Sequence, residues 1–193
     1  ADLVTSAVVK FTSLQGVMGG YYALESGEEP EVADAIVEHY RPRYAGDEIP
    51  RTDAGRLVAL ADKLDTIAGI FSVGQGPTGS SDPFALRRSA LGVLAIVVSG
   101  LPLDLRSAIV DAVREYADLE GLDTEAVTDS ILEFFRGRLS VLLRDRGFAY
   151  DTVDAVMSVH GVDPIGALAF AQAIDDARRE DPALYGDLAT AYA

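Results

Sequence analysis

The sequence predicts an all-α fold, and three observations support that prediction. Apolar residues recur at steps of three and four along most of the chain, which places them on one face of a helix. Segments rich in glycine and proline separate these periodic stretches, as connections between helices do. The strict alternation of apolar and polar residues that is typical of a half-buried strand is almost absent.

The helices of the first half can be followed in chain order. The first apolar stripe is short and consists of Leu3, Val4, Ala7, Val8 and Phe11. A helix is predicted over residues 31–40, with Pro30 at a first helical position, where its missing N–H costs nothing. The next helix has Thr52 or Asp53 as its N-cap. It carries a broad apolar stripe, which predicts a central helix that packs on several sides.

A connector and a second group of helices follow. Residues 72–83 interrupt the helical pattern with glycine, proline and serine, and an apolar helix is predicted over residues 84–98. Another boundary falls at residues 100–102. Beyond it the pattern predicts amphipathic helices near residues 104–118, 124–146, 150–160 and 165–180, separated by Gly121, Gly147 and Gly161.

Composition excludes several classes of protein. The chain has 193 residues, of which 49% are hydrophobic and 24% charged, so it can bury a sizeable core. The absence of cysteine excludes disulfide scaffolds, thiolate zinc sites and cysteine nucleophiles, and it suits a cytoplasmic protein. No uncharged apolar run reaches the roughly 18 residues of a membrane span. The first residue is not Met and the last residues continue a helical pattern, so we expect a fragment of a longer polypeptide.

The charge of the chain argues against indiscriminate nucleic-acid binding. Lys and Arg number 16 against 31 Asp and Glu, which gives a formal net charge of −15. Neutralising phosphates needs clustered cations, so only a local basic face could bind nucleic acid. Most of the acidic excess lies beyond residue 100, so the first half is the better place to look for an anion-binding site.

The candidate metal ligands are His39 and three aspartates, Asp2, Asp62 and Asp65. An imidazole with several carboxylates can hold a divalent cation such as Mg²⁺ or Mn²⁺. We favour the alternative that His39 caps or packs near the C-terminal end of its helix, where an imidazolium is stabilised by the helix dipole. His160 precedes Gly161 and is predicted to end a helix.

The first pair of candidate phosphate contacts is Arg87 and Arg88. The glycine-rich segment 74–81 that precedes them lacks the lysine and the buried strand of a P-loop, so a plain connector is favoured for it. Guanidinium groups near the start of a helix can face phosphate oxygens together with backbone amides. The alternative is an ion-pair network with the nearby aspartates Asp62, Asp65 and Asp82.

The second pair is Arg41 and Arg43, in a loop that also contains Tyr44. Cations interleaved with an aromatic ring suit a nucleic-acid backbone or an exposed base. The alternative is a solvated loop whose charges cancel locally, since Asp47 and Glu48 follow closely. From these residues alone we favour the solvated loop.

Five longer blocks carry a more specific signal than any short motif. They cover most of residues 2–98 and read DLVT at 2–5, KFTSLQGVMG at 10–19, EHYRPRYAGDEIP at 38–50, LADKLDTIAGIF at 60–71 and GSSDPFALRRSALGV at 79–93. Through these blocks the chain resembles the beta subunit of bacterial glycyl-tRNA synthetase. Residues 134–147 and 188–192 resemble the same subunit more loosely.

The resemblance implies a fold, partners and a role. In that family two alpha and two beta subunits assemble; the alpha subunit carries the active site, which uses ATP and Mg²⁺, and the beta subunit supplies tRNA recognition. We therefore expect an HD-domain-like helical bundle at residues 1–100 and a helical extension at 101–193 that leads towards an anticodon-binding domain. The chain is expected to be cytoplasmic and non-catalytic, to have no cofactor of its own, and to bind tRNA(Gly) and the alpha subunit but neither DNA nor a membrane.

The resemblance also bears on the candidate sites. HD domains are named for a His-Asp doublet that binds metal; Asp2 and Asp62 match aspartates of that pattern, but Ala1 stands where the first histidine belongs. No bound metal is therefore expected. If the parent binds tRNA, the two arginine pairs become contacts for acceptor-arm phosphates. The alternatives are a metal-dependent phosphohydrolase that uses Asp2, His39, Asp62 and Asp65, or a structural spacer.

Overall fold

The computed structural model describes residues 2–44, 46–183 and 185–186. These residues form nine α-helices and one short 3₁₀ turn at Thr12–Leu14. In chain order the helices are α1 Ser6–Lys10, α2 Val17–Glu25, α3 Pro30–Glu38, α4 Asp53–Ser72, α5 Leu86–Val98, α6 Leu105–Arg114, α7 Thr124–Asp145, α8 Tyr150–His160 and α9 Pro164–Glu180.

The all-α prediction is confirmed over these residues. The strand-like contact recorded among them is an isolated antiparallel bridge between Thr78 and Ser81, within the predicted connector. Among the same residues, no helix combines the length and the apolar character needed to cross a lipid bilayer. The finer assignment to an HD-like bundle stays a prediction.

Side-chain caps explain where several helices begin. Thr52 caps α4, and its hydroxyl accepts a hydrogen bond from the N–H of Gly55 at 3.0 Å. Asp104, Asp123 and Asp163 cap α6, α7 and α9 in the same way. Each such cap stabilises its helix by about 1 kcal/mol, because it satisfies an N–H that has no partner inside the helix. Helix starts are therefore well encoded locally.

The core is centred on α4 and α5. Helix α4 packs against α3, α5, α6 and α7, as its broad apolar stripe predicts. Burying one Leu or Ile side chain contributes about 2 kcal/mol, and Leu86, Leu94 and Ile96 of α5 have no exposed surface. One continuous apolar cluster extends from Ala59 in α4 to Ala171 in α9. The predicted division at residue 100 passes through this cluster, so α4 and α5 share a core with the helices beyond it.

The N-terminal region differs from the prediction. Of the predicted apolar stripe only Val8 is buried, whereas the side chains of Val4 and Phe11 are 91% and 62% exposed. The sequence reasoning also missed α2, which follows this stripe. Its interface with α3 is formed by Gly19 and Gly20, where an added Cβ would collide with side chains of α3. Close approach of glycine backbone leaves no apolar periodicity to detect.

Candidate functional site

Asp2 holds the N-terminal end of α2. Its carboxylate is 1% exposed and accepts hydrogen bonds from the N–H groups of Gly16 and Gly19, each at 2.8 Å, and from the Tyr40 hydroxyl at 3.2 Å. Burial raises the pKa of the Asp2 carboxyl, but these hydrogen bonds outweigh it and hold that pKa below its ordinary value. The acceptor sites of Asp2 are thus used within the fold.

His39 is the C-cap of α3 and is buried. Its Nδ1 lies 2.8 Å from the carbonyl oxygen of Ile36, and burial lowers the pKa of the imidazole. This is the helix end at which the packing alternative places His39, but burial disfavours the imidazolium that this alternative invokes. His160 is the last residue of α8 and is followed by Gly161 with φ +51°, so it ends a helix as predicted.

The two aspartates of α4 have different surroundings. Asp65 accepts a hydrogen bond from the Tyr116 hydroxyl at 2.7 Å, which raises the pKa of Tyr116 to about 12. Asp62 is exposed and lines a cavity together with Lys63. Nowhere in the described ranges do three acidic or histidine side chains come together as metal ligands. The four candidate ligands Asp2, His39, Asp62 and Asp65 are therefore not gathered into one group in this structure.

Three of the four candidate arginines line one groove. Arg43, Arg87 and Arg88 surround a space of about 840 Å³ between the loop after α3, the start of α5 and the C-terminal end of α7. Arg146 lines the same groove from the end of α7, and the sequence reasoning missed it because only tertiary packing brings it there. The rest of the wall consists mainly of apolar side chains such as Leu91 and Leu142, together with the two carboxylates of Asp47 and Asp145. We call this space the basic groove.

The loop arginines are neutralised by their own loop. Arg41 lies 3.0 Å from Glu48, and Arg41 does not line the basic groove. Arg43 lies 3.0 Å from Asp47, and its hydrogen bond lowers the pKa of the Asp47 carboxyl to about 2. Local cancellation of charge, the alternative favoured from the sequence, therefore describes both ion pairs. Arg43 nevertheless keeps an exposed face towards the groove, with 59% of its side chain accessible.

The arginines of α5 have no acidic partner among the described residues. Arg87 donates hydrogen bonds to the carbonyl oxygens of Gly79 and Ser81. Arg88 is exposed and makes neither an ion pair nor a side-chain hydrogen bond within that part of the chain. The ion-pair network expected as the alternative does not form there, because the Asp82 carboxylate accepts the backbone N–H groups of Leu86 and Arg87 instead.

The start of α5 has an unusual backbone conformation just ahead of both arginines. Ala85, the residue before the helix, has φ +55°, a left-handed conformation that costs a residue with a Cβ about 1 kcal/mol. The Asp82 carboxylate accepts hydrogen bonds from the N–H groups of Leu86 and Arg87, at 2.8 and 2.9 Å, and these two bonds hold the chain in this turn. Helix α5 consequently begins two residues later than the sequence pattern predicts.

A second cavity lies beside the basic groove and shares Pro42, Arg43 and Arg88 with it. Its volume is about 420 Å³, and Lys63 lines it. The Lys63 side chain is buried, and its ammonium donates a hydrogen bond to the carbonyl oxygen of His39 at 3.1 Å. Burial lowers the pKa of Lys63. Lys63 lies three residues after Leu60 and four before Ile67, on the apolar stripe of α4, and this spacing is the sequence signal that indicates its burial.

Comparisons with known proteins match the whole chain to one family. The family model described as "Glycyl-tRNA synthetase beta subunit" matches residues 1–158. The chain is 53% identical over 83% of its length to a glycine–tRNA ligase beta subunit of Aromatoleum aromaticum, and 47% identical over 100% of its length to that of Desulforamulus reducens. It covers 23% and 28% of these two relatives. The chain thus spans about a quarter of the length of the relatives that it matches.

Proposed function

Because the chain belongs to the glycyl-tRNA synthetase beta subunit family, we propose that the basic groove binds tRNA(Gly) through its phosphates. The observation that carries the proposal is Arg88, an exposed guanidinium without an acidic partner in the described part of a chain with net charge −15. An unpaired cation that lines a groove is available to an anion, whereas most arginines of an acidic protein are not. Arg87 and Arg146 line the same groove.

The arrangement suits a nucleic-acid backbone better than a small anion. Arginines from two separate elements, α5 and the end of α7, line the basic groove, so that consecutive phosphates can each meet a guanidinium. The acidic remainder of the surface repels nucleic acid elsewhere and thereby limits binding to this face. RNA is recognised largely by shape and backbone contacts, with sequence read mainly at unpaired ends.

The role that follows is to hold the acceptor arm of tRNA so that its 3′ end reaches a catalytic centre elsewhere. We propose that this centre lies on an alpha subunit, which uses ATP and Mg²⁺, in an alpha2beta2 tetramer in the cytoplasm, as the family resemblance suggests. The chain itself then contributes no chemical group. Positioning alone can supply several kcal/mol of catalysis, because it converts an encounter into an intramolecular step.

The test is tRNA(Gly) binding by the full-length protein that contains this chain, measured by filter binding at fixed salt. Arg88→Gln should weaken binding about tenfold, and a double change with Arg87→Gln should weaken it further. Arg106→Gln is the matched control, because Arg106 is exposed on α6 and lines a different surface. Unchanged affinity in the double variant would overturn the proposal.

A further inference from the structure

The cavity beside the basic groove contains an unusual cation. Lys63 is 6% exposed and has no carboxylate within ion-pairing distance among the described residues. An ammonium has three N–H donors, and one of them is used by the carbonyl oxygen of His39. Burying a charge without a partner is costly, so a buried ammonium with two free donors at a cavity wall favours an anionic ligand.

Further donors line the same cavity. Arg88 is at its edge, and the hydroxyl groups of Thr12, Ser13, Thr66 and Ser89 also line it. None of these hydroxyls makes a side-chain hydrogen bond within the described part of the chain. Lysine, guanidinium and hydroxyl donors that surround one space suit a tetrahedral oxyanion, which offers oxygens in several directions.

The charge of the cavity limits the ligand to a single phosphate group. Arg43 is already paired with Asp47, and Asp62 contributes one carboxylate to the lining. Lys63 and Arg88 therefore leave an excess of one positive charge, too little for a di- or triphosphate. A volume of about 420 Å³ exceeds a bare phosphate and is within the usual range for small-molecule sites.

We propose that this cavity, with Lys63 and Arg88 as its cations, binds a terminal phosphate monoester. A monoester offers three free oxygens to the lysine, guanidinium and hydroxyl donors of the lining, whereas an internal phosphodiester of RNA offers two. The monoester comes either from a free nucleoside monophosphate or from the 5′ end of an RNA. Only the 5′ end of an RNA, as the source of the monoester, rests on the proposed function.

The first experiment uses calorimetry on the full-length protein with inorganic phosphate and with AMP as probes. Lys63→Met and Arg88→Gln should each weaken binding about tenfold. Ser89→Ala removes one hydroxyl donor from the same cavity and keeps both cations and the Lys63–His39 contact. It therefore still tests the cavity when Lys63→Met does not fold. Arg106→Gln should leave phosphate affinity unchanged, because Arg106 is exposed on α6 and lines neither this cavity nor the basic groove.

The second experiment compares tRNA(Gly) that carries a 5′-phosphate with tRNA(Gly) that carries a 5′-hydroxyl. If RNA is the source, the phosphate strengthens binding about tenfold in the wild type and has no effect in Lys63→Met. If a free nucleotide is the source, AMP binds and the 5′ end makes no difference. The inference is overturned when Lys63→Met weakens the binding of neither inorganic phosphate nor AMP and abolishes no gain in tRNA(Gly) affinity from the 5′-phosphate. That result leaves the proposed function standing, since Arg87→Gln still weakens both forms of tRNA.

Discussion

The ammonium of Lys63 donates a hydrogen bond to the backbone carbonyl of His39 over 3.1 Å. Because His39 is the C-cap of α3, this contact places a cation at the C-terminal end of a helix, where the helix dipole stabilises it. The same contact ties α3 to α4 and holds the ammonium beside the cavity that it shares with Arg88. One buried side chain thus connects the packing of two helices with the candidate anion site.

The salt dependence of tRNA binding tests how Arg87 and Arg88 act. If each arginine contacts one phosphate, tRNA binding releases the counterions associated with that phosphate. The slope of log affinity against log salt should then decrease by about 1 for each arginine replaced by Gln. Filter binding over a series of salt concentrations measures this slope. A loss of affinity with an unchanged slope would show that the arginines act through structure and not through phosphate contacts.

Replacement of Asp2 by Asn should destabilise the fold by about 2 kcal/mol at neutral pH, because two backbone N–H groups lose a charged acceptor. The folded pKa of Asp2 lies below its unfolded value, so its contribution is complete above the unfolded pKa and is lost as pH falls through the folded one. Urea denaturation at neutral pH and near pH 3 measures both effects.

The difference between wild type and Asp2→Asn should therefore shrink in acid. Asp34→Asn is the control, since Asp34 is exposed on α3. An equal loss at both pH values would contradict the role assigned to the Asp2 carboxylate.

Two glycines in helices should respond differently to alanine. A Cβ on Gly137 of α7 meets no atom within 4 Å, so Gly137→Ala should stabilise the protein by about 1 kcal/mol through helix propensity. A Cβ on Gly92 of α5 would lie 3.0 Å from Cε of Lys63 and 3.3 Å from Cγ of Pro42. Gly92→Ala should lose that gain, because the buried lysine must move. Thermal unfolding of both variants measures these changes in stability. Equal gains in stability would show that the Lys63 side chain moves without cost.

The hydrogen bond between Tyr116 and Asp65 predicts sensitivity to alkali. The pKa of Tyr116 is raised to about 12, so its contribution to stability is complete below the unfolded pKa near 10 and is lost as pH rises towards 12. Tyr116→Phe should cost about 1 kcal/mol at neutral pH and less above pH 10. Urea denaturation at both pH values measures the change. Tyr21→Phe is the control, because Tyr21 is 62% exposed; a similar cost there would contradict this assignment.

The sequence by itself determined the helices wherever their signals are local. The cap at Thr52, the glycines after α7 and α8, and the apolar stripe of α4 each act within a few residues, so the pattern predicted these elements closely. It failed at α2, where glycine backbone packs on α3, and at Ala85, whose left-handed conformation depends on Asp82. Both depend on contacts that no periodicity records.

The candidate site divides in the same way. The sequence identified Arg87 and Arg88 as candidate phosphate contacts, and the family resemblance gave them a partner. The sequence also predicted that the charge of Arg43 is cancelled within its own loop, as its pair with Asp47 shows. Only the tertiary structure brought Arg146 to the same groove and set Lys63 beside Arg88. Residue type fixes which charges exist, but whether a charge is neutralised or available depends on distances between helices far apart in the chain. Electrostatic energy varies with those distances and with burial, and the core packing of α4, α5 and α7 sets both.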